Sequence, residues 1–175
     1  MSDTLTATAT GSRLLLRWVI VLLLAGAVAL AITTGLGSST ATVHDGELVI
    51  ELSGYRVEPP NLVLPAGEEV TLVLENTSDY HHNVAVGRDP VHLEGHPMGL
   101  EQDLLSVSAL RADPPRALIS PADPQVPTTL SVPPGQTVRV EVRVPEDLRG
   151  EWALGCFQGS GCEARIDAPA TLRVE

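Results

Sequence analysis

Two cysteines, five histidines and one methionine beside two of those histidines are the residues of this 175-residue chain best suited to chemistry. Cys156 and Cys162 stand six positions apart in "GCFQGSGCEARI", residues 155–166. His81 and His82 precede an asparagine, and His92, His96 and Met98 follow in "VHLEGHPMG", residues 91–99. Thiolate, imidazole and thioether are the side chains that ligate soft and borderline transition metals. The same two cysteines can instead form a disulfide, provided the domain lies outside the cytosol, since the intervening loop is short enough to close. A third outcome is two free thiols. An enzyme is not expected: G-x-S-x-G, H-E-x-x-H and a phosphate-cradling glycine loop are all missing. Glu163 reads as a loop carboxylate, because no nucleophile stands ready to use it as a base.

The elements that would position these residues are short strands. "ELVIELS" (47–53), "EEVTLVLEN" (68–76), "HNVAVG" (82–87), "TTLSV" (128–132), "TVRVEVRV" (137–144), "EWALGC" (151–156) and "ATLRV" (170–174) are brief runs, most of them alternating, separated by Pro, Gly, Asn and Asp. Seven such runs predict an all-β domain, an antiparallel Greek-key β-sandwich. "LPAGEEVTLVLEN" (64–76) and "VPPGQTVRVEVRV" (132–144) repeat one turn-and-strand pattern, too few copies for a repeat protein. Residues 88–127 carry seven prolines and little pattern, and read as a long insertion with a short helix near Leu100–Leu110.

The N-terminus sets the compartment. Residues 14–36 are 23 mostly apolar residues with one charge, Arg17, long enough to span a bilayer as one helix. Arg13 and Arg17 place residues 1–13 in the cytoplasm and everything after the helix outside. The competing reading is a cleaved signal peptide with Ala29-Leu30-Ala31 as its site, which would release the domain as a secreted protein. Residues 37–46, "GSSTATVHDG", are a polar linker, leaving 47–175 as the exported domain. The chain carries a net charge of -11, and 21 acids face 9 arginines after residue 40. Such a surface repels nucleic acid. The expected partners are membrane lipid, through the helix, and a protein that exchanges electrons or metal with the domain.

From Glu47 to Glu175 the chain resembles the cupredoxins, the plastocyanin- and azurin-like copper proteins. "YRVEPPNLVLPAGEEVTLVLENTSDYHHNVAVG" is similar to the first half of that fold, in which a His-Asn dipeptide supplies a copper ligand, here His82. "VPPGQTVRVEVRVPEDLRGEWALGCF" is similar to the run into the ligand loop, where a strand-end cysteine is the thiolate ligand, here Cys156. Strand alternation agrees: His82, Val84 and Val86 share one face, as do Trp152, Leu154 and Cys156. A trigonal copper site needs a second imidazole and a weak axial ligand. The family draws both from the loop after the cysteine, but the equivalent positions here hold Gly161 and Ile166, and all five histidines precede Cys156. The resemblance therefore implies copper with replacement ligands: His96 in preference to His92, Met98 as a soft donor, or Cys162 within the loop. Gln158 is a weaker axial candidate. The expected function is copper handling or electron transfer by a membrane-anchored domain on the extracytoplasmic side. The alternative is a metal-free interaction domain stapled by a Cys156–Cys162 disulfide.

Overall fold

The alternating runs fold into two facing sheets. The computed structural model of the protein describes residues 39–94, 96–120, 126–157 and 169–175; for residues 93, 96 and 97 only the backbone is described. The expected cytoplasmic segment 1–13, the membrane helix 14–36 and the start of the linker lie outside the described residues. Among those described, no helix is long and apolar enough to cross a membrane.

In chain order the strands are β1 (Thr40–Ala41), β2 (Glu47–Ser53), β3 (Arg56–Glu58), β4 (Asn61–Leu64), β5 (Glu69–Asn76), β6 (His82–Leu93), β7 (His96–Asp103), β8 (Ala109–Asp113), β9 (Leu118–Ile119), β10 (Thr129–Val132), β11 (Thr137–Arg143), β12 (Gly150–Gly155) and β13 (Ala170–Val174). One sheet runs β3-β2-β5-β11-β8; the other runs β1-β4-β13-β12-β6-β10-β9, with β7 paired to β6. All seven runs read from the sequence are strands, with ends shifted by a residue or two. The exception is β6, which continues to Leu93.

The core lies between the sheets and is built from the inward side of each alternation. Leu48, Ile50 and Leu52 of β2 and Val138, Val140 and Val142 of β11 meet Val84 and Val86 of β6, Trp152 and Leu154 of β12, and Leu172 and Val174 of β13. Burial of β11 reads exposed-buried along its length, the signature of a sheet with one wet face. Fully burying such side chains contributes about 1.5–3 kcal/mol each before entropy is counted.

Two expectations are corrected. The sandwich is mixed, not purely antiparallel: β1 with β4, β4 with β13, and β2 with β5 are parallel pairs. Parallel neighbours need a crossover, which the chain makes by switching sheets between β3 and β4 and again between β4 and β5. The insertion is also structured through most of its length. It contributes the β6–β7 hairpin, a one-turn helix α1 (Leu104–Val107), and β8, which pairs along β11. The linker likewise ends in β1 and a His44–Glu47 bridge.

The insertion is anchored by specific contacts. Asp103 caps α1, its Oδ1 accepting from the amides of Leu105 and Ser106 at 3.0 and 3.2 Å. Its Oδ2 accepts from the Thr128 amide at 2.7 Å, tying the middle of the insertion to the residue just past its end. Leu100 and Phe157 cover Ala85 on the outer face of the larger sheet as a second small apolar cluster.

Candidate metal centre

Antiparallel pairing of β6 with β12 brings the strand start at His82 and the strand end at Cys156 to the same end of the sandwich. The last paired residues are Gly155 and Ala85. Cys156 follows directly on that last pair, and His82 lies three residues before Ala85 on β6. Parity puts His82, Val84 and Val86 inward with Leu154. Val84, Val86 and Leu154 are buried, and Cys156 is half-buried against the main core. The face-sharing inferred from the sequence is therefore present.

His82 is 1% exposed. Its Nε2 lies 3.0 Å from Ser78 Oγ. Its Nδ1 is buried with no hydrogen-bond partner. Burial, then the neighbouring His81, push the imidazole's pKa below its ordinary value, so the ring is held neutral. Asn76, at the end of β5, organises the loop that carries Ser78. Its Nδ2 donates to the carbonyls of Tyr80 and Val132 at 2.7 and 2.9 Å. Its Oδ1 accepts from the Ser78 amide at 3.0 Å and from Ser78 Oγ at 2.8 Å. Ser78 is the site residue that sequence reasoning passed over. The available signal was Asn-x-Ser at a strand end, the pattern of a side-chain-capped turn.

Cys156 is disulfide-bonded. The sequence has one other cysteine, Cys162, which lies outside the described residues, as do Gln158, Gly161 and Ile166. A disulfide sulfur carries no thiolate charge and is not the donor a copper site uses. Among the described residues, no group of three or more His, Cys, Asp or Glu could hold a metal ion.

The ligands expected from the insertion are not near His82 along the strands. His96 pairs with Leu93 at the tip of the β6–β7 hairpin. Eleven residues of strand separate that tip from His82, about 36 Å of chain at 3.3 Å per residue. Met98 is 41% exposed on β7, and exposed His92 is bonded through Nδ1 to the Pro90 carbonyl. The register shows a hairpin that leads away from the His82 end. His81, the other member of the pair, hydrogen-bonds Ser131 Oγ at 2.6 Å, a strand-to-strand contact at the rim.

A family model described as multicopper oxidase matches residues 32–158, more than half of the chain. The chain belongs to the multicopper oxidase family. Its domain is cupredoxin-like, as the sequence resemblance implied. Among solved structures, a Cu(I)-state mutant of amicyanin is 16% identical, covering 76% of this chain and 86% of its own, with a TM-score of 0.40. Auracyanin B is 17% identical, over 79% of this chain and 96% of its own, at 0.44. A laccase from Pediococcus acidilactici is 14% identical at 0.43, and the match covers 76% of this chain but 28% of the laccase. No curated protein matches. In this multicopper-oxidase-family domain His82 is buried and Cys156 is disulfide-bonded.

Proposed function

We propose that this domain handles copper outside the cytoplasmic membrane, through His82 and Cys156, once the Cys156 disulfide is reduced. The observation that carries the reading is His82 Nδ1: a buried imidazole nitrogen with no partner, on the face that Cys156 shares. An unpartnered buried polar atom is costly, and natural folds keep few of them. The residues do not fit copper in the disulfide form. Opening the disulfide takes two electrons and two protons from a dithiol, which leaves as its own disulfide. Cys156 thiolate and His82 imidazole are then donors suited to Cu(I). Copper held there would supply either a transferable ion or one-electron chemistry. The chain's part is to hold the imidazole dry, neutral and oriented. A site that must break a covalent bond before it binds suits uptake and release better than fast electron transfer, which needs fixed geometry. Among the described residues the site offers one imidazole and one bonded sulfur.

Location outside the membrane is supported by the apolar run 14–36 and the arginines before and within it, and the partner would be a protein that delivers or accepts copper. A second reading has its own observation. Because Cys156 is disulfide-bonded, the domain can also serve as a metal-free, stapled interaction module that docks through its acidic surface.

One experiment separates them. The purified chain is dialysed against Cu(I) with and without prior reduction, and copper is counted by elemental analysis beside titratable thiols. The copper reading expects no thiols and no copper before reduction, then about one copper per chain after it, lost in His82→Ala and in Cys156→Ser. A reduced chain that takes up no copper leaves the stapled module as the function.

A further inference from the structure

We propose that the cleft between the β10–β11 turn and the link from β8 to β9 binds a small organic acid, with its carboxylate on Arg116 and its hydrocarbon body against prolines. The site uses neither His82 nor Cys156 and is independent of the copper reading.

The cleft follows from how the insertion returns to the sandwich. β8 ends at Asp113 as the last strand of the smaller sheet, and β9 begins at Leu118 as the last strand of the larger one. The link between them carries one 3-10 turn, Pro115–Ala117, closed by the Ala117 amide on the Pro114 carbonyl at 2.9 Å. The other wall is the turn from β10 into β11, closed by the Gln136 amide on the Pro133 carbonyl at 3.1 Å. Gly135 supplies the left-handed residue this turn needs, at φ 64°. On the β6 side the wall is Ser131, whose Oγ lies 2.6 Å from His81 Nε2. The space enclosed is about 560 Å³, a volume that suits a small ligand.

Charge selects the ligand class. After residue 40 the chain has 21 acids against 9 arginines, so a hollow in its surface should be rich in carboxylates. This one has none among its described lining residues. Arg116 lines it, is exposed, and makes no ion pair among the described residues. Other arginines are already engaged: Arg111, Arg139 and Arg173 each hold a carboxylate, and Arg88 donates to the carbonyls of Glu151 and Arg149. Asp113, the nearest acid along the chain, lines a different hollow with Arg139 and Glu141. A guanidinium left without a counter-charge presents a planar fork of donors that matches a carboxylate. Gln136 and Thr137, both exposed on the cleft, add an amide and a hydroxyl donor. The remaining wall is Pro114, Pro133 and Pro134. Proline rings offer no N–H and hold φ fixed, so that wall is apolar and already rigid before a ligand arrives. One fixed positive charge beside an apolar wall matches a monoanion with a hydrocarbon body. Phosphate, with more charge and no apolar part, would leave the prolines unused.

The test titrates the full chain, 15N-labelled and solubilised in detergent, at about pH 7.5, where carboxylates are ionised. The probes are sodium benzoate, benzamide, inorganic phosphate and a blocked aspartate, all at one ionic strength. Benzoate should move the backbone amide signals of Arg116, Gln136 and Thr137 to saturation. Benzamide has the same shape without the charge and should bind about ten-fold more weakly. Arg116→Ala should weaken benzoate by about ten-fold, and Arg116→Lys, which keeps the charge but not the fork, by less. Arg116 is exposed, so neither change disturbs the core. Absence of a saturable shift at these amides overturns the site. Equal binding of benzoate and benzamide by the wild-type chain overturns the role of Arg116, whatever the variants do. Phosphate that binds as tightly as benzoate reduces the effect to attraction of any anion and overturns the ligand class. Blocked aspartate that binds more tightly than benzoate overturns the small acid and assigns the cleft to an acidic side chain of a protein.

Discussion

His82 carries more consequence than any other single residue in the described structure. Its ring is buried, with desolvation the larger cause of its lowered pKa and His81 the smaller. The sign of the resulting pH dependence follows from proton counts. In the unfolded chain the group takes up a proton near 6.5, and in the folded chain it does so only at lower pH. Between the two values the unfolded state binds more protons, so stability falls as pH falls through that window and levels off below the folded value. Above 6.5 the contribution is fully present. We therefore expect His82→Gln to lose less stability than wild type between about pH 7.5 and 5.0. Urea midpoints of the disulfide-intact proteins measure this, and parallel losses in both would show that His82 is not responsible. The same residue was visible in the sequence as half of a His-His pair ahead of an asparagine. What could not be seen was which of the pair turns inward. His81 and His82 differ by one position, so the strand's two-residue period sends one to the rim and the other to the core. The choice belongs to the register of β6 against β10 and β12.

At the level of elements, the β6–β7 hairpin changes the site most. It was expected to donate ligands, and it instead covers the outer face of the larger sheet. Gly87 is where that face is closest packed: it pairs with Ala153 of β12 on one side and Asp103 of β7 on the other. A Cβ at this position would lie 2.4 Å from the Gln102 carbonyl oxygen and 2.5 Å from Leu100 Cδ1. The first contact is backbone within a paired strand and cannot yield without moving the ladder. Gly87→Ala should destabilise the domain by about 1–3 kcal/mol, the usual cost of overpacking. Equilibrium denaturation gives that number, and hydrogen exchange should show β7 losing protection first. A neutral substitution would mean that the hairpin is not seated on the sheet. The insertion's strands were illegible because Pro90, Pro97, Pro114 and Pro115 break the alternation by which strands are recognised, and because β8 is an edge strand with one neighbour.

On the scale of the whole molecule, the questions are compartment and what the local pattern leaves open. If residues 14–36 span the membrane with residues 1–13 inside, protease added to spheroplasts should remove a C-terminal tag without lysis; a tag protected until the membrane is opened would reverse the topology. Outside the membrane the disulfide persists until a dithiol reduces it, which makes the compartment part of the proposed function. The sequence by itself determined the all-β class and the seven principal strands. Each of these is written in a period of two or in a short-range spacing, and neither needs a distant residue to be read. Tertiary structure alone decided the parallel pairings of β4 with β1 and β13, the placement of His96 at a hairpin tip, the disulfide at Cys156, and the Asn76–Ser78–His82 chain. Those depend on which strands become neighbours across gaps of tens of residues. Alternation says which side of a strand is apolar, but it does not say what that side will face.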